Sequence, residues 1–301
     1  MGGKTVRVNN RGLVLSNLEK DLYPSYGFTK AGILKYYGSM ARFMLPHLKD
    51  RALTLKRFPD GVEKDYFFEK RCPAYRPAWL KTADVPYGSH KHLTACLIND
   101  LESLIWVENL ASIELHVPLA RAASPHTPDS VVFDLDPGDK ADVLDCARVA
   151  LILKALLAGM KLTGLVKTSG KKGLHMYVPL NSGKITYDDT KKFSKAVAGI
   201  MQRNYPDLVT AKMAKESRKN RVFINWSQND ASKTMVCVYS LRAAEKPFVS
   251  FPLAWKELEK LLEQNDPGKF RVTYSEALAR AGKNGDLFSE MLGKKQRLPY
   301  L

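Results

Sequence analysis

The stretch VVFDLDPGD, residues 131–139, drives an apolar run into two carboxylates one residue apart and stops at Pro137-Gly138. At the period of two of a β-strand, Val131, Phe133 and Leu135 point one way while Val132, Asp134 and Asp136 point the other, so both acids leave one face. Like charges roughly 7 Å apart along a strand repel unless a cation lies between them. A strand end with solvated acids is the plain reading of this motif, and a metal site is the chemical one. A second segment, KTSGKKGLHMYVPL (167–180), adds phosphate chemistry. Gly170 and Gly173 allow a tight turn in which backbone N–H groups converge, and Ser169, Lys171 and Lys172 supply donors and positive charge. The turn is not a Walker loop, because G-x-x-x-x-G-K-[ST] is absent. His175, two residues into the next strand, is either a structural strand histidine or a donor to a triphosphate. A third segment holds Lys212, Lys215, Arg218, Lys219 and Arg221 against a single acid, Glu216. It is either a solvated charged face or a loop that a returning hairpin, RVFINW to TMVCVYSLRA, sets beside the carboxylates with Arg242.

The elements that must position these residues follow from periodicity and turn signals. Residues 29–45 place Ile33, Leu34, Tyr37, Met40, Ala41, Met44 and Leu45 on one helical face, with Thr29 as N-cap and Pro46 as stop. Residues 52–61 read as a strand entering a turn, and YFFEKRCPAYRPAWL as an irregular surface segment. Residues 98–119 read as a helix followed by a short strand. The Ser- and Pro-rich run 121–130 is the best internal boundary. It divides an N-terminal subdomain, 1–125, from a catalytic subdomain, 126–301. Beyond it, the carboxylate strand leads to a helix ending at Gly159, two strands around the Gly-Lys turn, a helix over 188–203, the basic segment and a late helix, PLAWKELEKLLEQ. The last 35 residues read as polar and peripheral. Strands that alternate with helices while hairpin-like pairs persist predict an α/β (α+β) fold with an antiparallel or mixed sheet.

Composition narrows the class. A chain of 301 residues, 45% hydrophobic and 26% charged, can bury a substantial core and reads as globular. No run of about 18 apolar residues predicts a membrane span, and MGGKTVRVNNRG lacks the apolar core of a signal peptide. Its Met-Gly-Gly start is a weak myristoyl signal, because position 6 is Val. The four cysteines, Cys72, Cys96, Cys146 and Cys237, form no C-x-x-C pair, which predicts neither a structural zinc nor a disulfide framework and suits a reducing cytosol. Lys plus Arg exceed Asp plus Glu by 47 − 31 = 16, a surplus that favours a polyanionic partner, nucleic acid first.

Taken together, VVFDLDPGD, KTSGKKGLHMYVPL and RVFINWSQNDASKTMVCVYSLRA resemble the three catalytic motifs of the archaeo-eukaryotic primase superfamily. More narrowly, they are similar to the polymerase domain of the DNA ligase D family of prokaryotic end joining. LTLKRFPDG, FFEK and WVENLASIELHVP extend the likeness over most of the chain. The resemblance implies a primase–polymerase core in a single bilobal domain, which fills short gaps at double-strand breaks and prefers ribonucleotides. Asp134 and Asp136 match carboxylates that hold two divalent cations, manganese or magnesium. Ser169, Lys172 and His175 match the triphosphate motif, Lys233 and Arg242 bases near the nucleotide, and His116 a position beside the incoming nucleotide. Lys56 matches a lysine that grips the 5′-phosphate of a gap, Phe68 an aromatic that stacks on the template, and Arg218 a basic-loop residue in contact with DNA. Implied partners are gapped DNA ends, nucleoside triphosphates, Ku and a DNA ligase, in the cytoplasm at the nucleoid. One position departs from the pattern: Asn225 stands where the family has a third catalytic carboxylate. The resulting expectation is a chain that binds nucleotide and DNA but polymerises poorly.

Other chemistries fit less of the chain. A haloacid-dehalogenase-like phosphatase uses D-x-D-x-[TV], whereas Pro137 and Gly138 follow Asp136. A glycosyltransferase D-x-D leaves the basic surplus and the Lys-rich turn unexplained. A non-catalytic DNA-end-binding module is kept open by Asn225. No K-x-D-G ligase signature occurs, so sealing is expected from another chain or domain.

Overall fold

The carboxylate strand runs Ser130–Pro137 and is paired on both edges. In this computed structural model, which describes residues 3–88 and 91–299, it lies inside a six-stranded sheet. The Met1-Gly2 start is outside the described residues. The order across the sheet is Val209–Thr210, Val222–Asn225, Ser130–Pro137, Leu174–Pro179, Leu165–Thr168 and Pro252–Leu253. Every pairing is antiparallel except that between the first two strands, so the mixed, mainly antiparallel sheet expected from the sequence is present.

One face of this sheet is covered by helices Val143–Gly159 and Tyr187–Asn204. Both start on capping boxes, Asp142 with Asp145 and Thr186 with Asp189, which satisfy N–H groups that the first turn leaves unpaired. Phe133, Leu135, Leu153, Met176, Phe193 and Val197 share one buried cluster beneath them. The opposite face is closed at one end only. Val132 is fully buried there in a second core, whereas Asp134 and Asp136 stand where the sheet opens.

That second core belongs to a four-stranded antiparallel sheet in the order Met235–Val236, Ser112–Val117, Thr54–Arg57 and Phe67–Glu69. Helices Lys30–Leu48 and Leu101–Glu108 pack on it. Met235–Val236 comes from beyond residue 126, so the two halves of the chain share a sheet. Two glycines let the turns close on the carboxylate strand. A Cβ at Gly138 would sit 1.8 Å from the Arg218 carbonyl oxygen, and one at Gly173 would sit 2.1 Å from that of Leu135. Neither approach tolerates a side chain.

Several expectations are corrected. Pro46 does not stop its helix, which continues to Leu48. Thr29 caps the start as expected, and buried Met44, His47 and Leu48 hold the last turn despite the N–H missing at Pro46. Phe67–Glu69, read as irregular, is an edge strand against Thr54–Arg57. RVFINW and TMVCVYSLRA form no hairpin. Val222–Asn225 stays in the six-stranded sheet, Met235–Val236 joins the other, and Leu241–Arg242 pairs with Phe248–Val249. Cys72 and Cys96 are disulfide-bonded with Cα atoms 4.9 Å apart, because the Cys72 N–H bonds the Thr94 carbonyl and draws two distant segments together. The C-terminal segment is not peripheral. Phe270, Val272, Ala277, Ala281, Phe288 and Met291 are buried, and helix Tyr274–Asn284 packs on Lys30–Leu48.

Candidate active site

Strand register sets the centre of the site. Asp134 lies opposite His175 on one neighbouring strand and opposite Asn225 on the other, so three side chains stand in a row across the sheet. Asn225 Nδ2 donates to Asp134 Oδ2 at 3.2 Å, and Gln228 Nε2 lies 3.4 Å from the same oxygen. His175 Nε2 lies 3.4 Å from Asp134 Oδ1. Asp136, two residues along, is more exposed and meets Arg218 Nη1 at 3.4 Å.

Burial, followed by the Asp136 charge, raises the Asp134 carboxyl to about 6, and burial also raises Asp136. Burial holds the His175 imidazole well below its usual range. Asp134, Asp136, Ser169, Lys172, His175, Asn225 and Arg242 line one cavity of about 590 Å³. In the turn, Ser169 Oγ accepts from the Lys171 and Gly173 N–H groups, both at 3.1 Å, while the Lys172 side chain is exposed. A larger groove of about 740 Å³, beside Tyr87 and Arg121, contains none of these residues.

The other expected residues arrive by two routes. Lys233 Nζ donates to Ser227 Oγ at 2.7 Å, and that hydroxyl donates to Asn225 Oδ1 at 2.7 Å, so Lys233 acts on the row through a relay. His116, Lys56 and Arg242 meet on Glu114, whose side chain is 1% exposed. His116 Nε2 is 2.9 Å from it, Arg242 Nε 3.5 Å, Lys171 Nζ 3.7 Å and Lys56 Nζ 3.9 Å. Burial alone would raise Glu114, but the His116 hydrogen bond and the Arg242 and Lys56 charges win and hold it well below the carboxylate range. Burial lowers His116 despite that carboxylate, and lowers Lys56 as well.

Two of the expected basic residues are held by neighbouring side chains. Lys56 is buried, with its ammonium 3.8 Å from the Tyr66 ring centroid and 3.9 Å from Glu114 Oε1. Arg218 is not a free loop cation. It stacks 3.9 Å over Phe223 and faces Asp136. Phe68, by contrast, is 54% exposed and meets His116 edge-on at 5.9 Å, leaving ring surface open for a base.

Sequence reasoning missed Glu114, Ser227, Gln228 and Lys167. The signal for Glu114 lay two residues from His116 on the same strand face. Lys167, which is 1% exposed with Nζ 2.9 Å from His175 Nδ1, left no signal because buried and exposed lysines read alike in sequence.

Two carboxylates on one face, with raised proton affinity and oxygen-only donors, suit a hard divalent cation. Among the described residues no cluster of three or more His, Cys, Asp or Glu forms a ready metal cage; Asp134 and Asp136 are the acids on this face, and Asn225 turns its NH2 to Asp134 while its Oδ1 accepts from Ser227. Such a pair beside a Lys- and Ser-lined turn, on a mixed, mainly antiparallel sheet, fits a nucleotidyltransferase of the primase–polymerase class. Residues 29–288 match the family model described as LigD, primase-polymerase domain. The chain is 38% identical over 281 residues to the multifunctional non-homologous end joining protein LigD of Mycolicibacterium smegmatis, covering 92% of this chain and 36% of that protein. It is 31% identical over 287 residues to the bifunctional non-homologous end joining protein LigD of Bacillus subtilis, covering 95% and 45%. The solved polymerase domain from Mycobacterium tuberculosis ligase D in complex with DNA matches with a TM-score of 0.87 at 37% identity, covering 94% of this chain and 99% of that one. The chain belongs to the LigD primase-polymerase domain family. It spans less than half the length of these curated relatives.

Proposed function

We propose that this chain is a template-directed nucleotidyltransferase that fills short gaps at DNA double-strand breaks during non-homologous end joining. The observation that carries the reading is the row Asn225–Asp134–His175 with Asp136 at the mouth of a cavity lined by Ser169, Lys172 and Arg242. Asp134 and Asp136 would hold two divalent cations, manganese or magnesium. Bound there, the metals supply charge neutralisation for the triphosphate and activation of a primer 3′-hydroxyl.

The remaining work falls to the chain's own groups. Ser169, Lys172 and His175 donate to triphosphate oxygens, and Arg242, held between Glu114 and the turn, adds charge beside them. His116, fixed on that carboxylate, stands beside the incoming nucleotide, and Lys56, which also approaches it, grips the 5′-phosphate of a gap. Lys233 orients Asn225 through Ser227. Arg218 keeps Asp136 neutralised in the free protein. Phe68 offers a stacking face for a template base, an interaction worth about 1–3 kcal/mol and tolerant of sequence.

DNA is the proposed polymer partner, supported by the +16 charge and by the DNA in the solved relative. Gapped ends with a 5′-phosphate, nucleoside triphosphates with a ribonucleotide preference, Ku and a DNA ligase complete the proposed setting, in the cytoplasm at the nucleoid.

Asn225 favours a second reading, a DNA-end-binding module with little catalysis. An amide brings no charge to the site, so it acts on the chemical step more than on binding. Labelled ribonucleotide incorporation on a gapped duplex with manganese separates the two. Asn225→Asp should extend a primer about 10²-fold faster, the order lost with one electrostatic stabiliser of a transition state, while nucleotide affinity shifts much less. An Asp variant no faster than the chain itself would refute the carboxylate assignment.

A further inference from the structure

Glu114 gathers groups from several segments, although it does not itself line the cavity around Asp134. His116 Nε2 lies 2.9 Å from Oε2, and the Ala243 N–H donates to Oε1 at 3.0 Å. Lys56 stands opposite Glu114 in the register of Thr54–Arg57 with Ser112–Val117. Lys171 reaches in from the Gly-Lys turn, and Arg242 from the strand Leu241–Arg242. Three side-chain cations thus surround one carboxylate that is 1% exposed. A cluster that served the fold alone would be balanced, because burying unmatched charge costs stability. This one keeps a positive surplus, and two of its cations, Lys171 and Arg242, line the cavity.

The contact with Arg242 is one-sided. Nε, at the root of the guanidinium, is the atom 3.5 Å from Oε2. The stem is pinned from another direction: a Cβ at Gly170 would sit 2.5 Å from Arg242 Cγ, so a side chain there would displace it. The Ala243 N–H bond fixes the backbone one residue on. Carboxylate, glycine and peptide together hold the root of the side chain, and the two Nη groups at its far end remain for an anion. We propose that Glu114 is a positioning residue that aims the Arg242 guanidinium into the cavity. That role rests on the reading of the cavity as a triphosphate site.

The sign of the effect separates aim from charge. Glu114→Gln keeps the size and shape of the side chain but removes one negative charge from beside the cavity. Electrostatics alone would then tighten the binding of a polyanion. Loss of aim weakens it.

The measurement is the Kd of a non-hydrolysable ATP analogue with manganese, read by calorimetry, with the melting temperature as the check on folding. Glu114→Gln should raise the Kd about tenfold, the scale of one hydrogen bond to a charged group. In an Arg242→Met background the same change should move the Kd by less than about twofold, since the group it aims is gone. Arg242→Lys keeps the charge but has no Nε to hold and no fork to aim, so it should lose about as much affinity as Arg242→Met. That variant leaves Glu114 in place and does not depend on the folding of Glu114→Gln. An unchanged or lowered Kd in Glu114→Gln overturns the proposal. So does an equal rise that persists without Arg242, or an Arg242→Lys protein that binds like the parent chain. A parent chain that binds no triphosphate refutes the reading of the cavity, and the proposal falls with it. In a parent chain that binds, the overturning outcomes remove the role of Glu114 alone.

Discussion

Three acids show how little burial alone decides. Asp134 is partly buried beside Asp136, and its carboxyl rises to about 6. Glu114 is more deeply buried yet falls, because His116, Arg242 and Lys56 surround it. Glu108 is 0% exposed, neither of its oxygens has a hydrogen-bond partner among the described residues, and burial raises it well above the carboxylate range. Glu108 is therefore folded in its neutral form. Since the folded state holds a proton that the unfolded chain releases near pH 4.3, stability falls as pH rises above that value, by up to about 1.4 kcal/mol per pH unit, until the folded carboxyl itself ionises. Glu108→Gln removes that slope. Its melting temperature should gain on the parent chain as pH goes from 5 to 8, and a pH-independent difference between the two proteins would refute the assignment. At this scale the sequence was readable where the partner lies on the same strand. Alternation placed Asp134 and Asp136 on one face because a period of two requires it. The Lys56, Lys171 and Arg242 side of Glu114 was not readable, since those partners come from another strand, from the Gly-Lys turn and from beyond residue 240.

Elements were legible where their own residues carried the signal and illegible where another element decided. The helix Val143–Gly159 ends at Gly159 as its pattern indicates, and Thr29 caps Lys30–Leu48. The hairpin expected after Val222–Asn225 failed because residues 235–236 found a free edge on Ser112–Val117, a choice made by tertiary packing. The C-terminal segment misled for a related reason: its core contacts are a few apolar residues in a polar background, and one acid does much of the docking. Asp286 accepts from the Tyr239 hydroxyl at 2.7 Å and from the Phe288 N–H at 2.9 Å, and it lies 2.8 Å from His47 Nε2. These bonds join residues 286–288 to the helix Lys30–Leu48 and to the shared core. Asp286→Ala leaves the fully buried Tyr239 hydroxyl without an acceptor, and each such group costs about 1–3 kcal/mol. Chemical denaturation should show a loss of about 2–5 kcal/mol in total. A loss under about 0.5 kcal/mol, the range of ordinary surface substitutions, would mean that apolar contacts alone hold the segment.

For the whole molecule, the relevant quantity is how many of the 16 surplus charges meet a phosphate backbone. Several cations are already engaged by acids: Lys56, Lys171 and Arg242 around Glu114, and Arg218 on Asp136. Exposed Lys212, Lys215 and Lys219 of the basic loop are not drawn into that core, and the loop adjoins the carboxylate strand at Gly138. Sequence composition gave the sign of the surplus, but it could not separate cations held inside from those left at the surface. Backbone contacts release counterions, so the logarithm of gapped-duplex affinity should fall linearly with the logarithm of salt concentration, with a slope of about −5 for roughly six phosphate contacts. Replacing Lys212 and Lys215 together with Ala should flatten that slope by about two, because each neutralised phosphate contributes about 0.9. Nucleotide affinity should stay unchanged, since neither residue lines the cavity around Asp134. A slope near zero in the parent chain would mean that its charge serves solubility. An unchanged slope in the double variant would place the DNA track elsewhere on the surface.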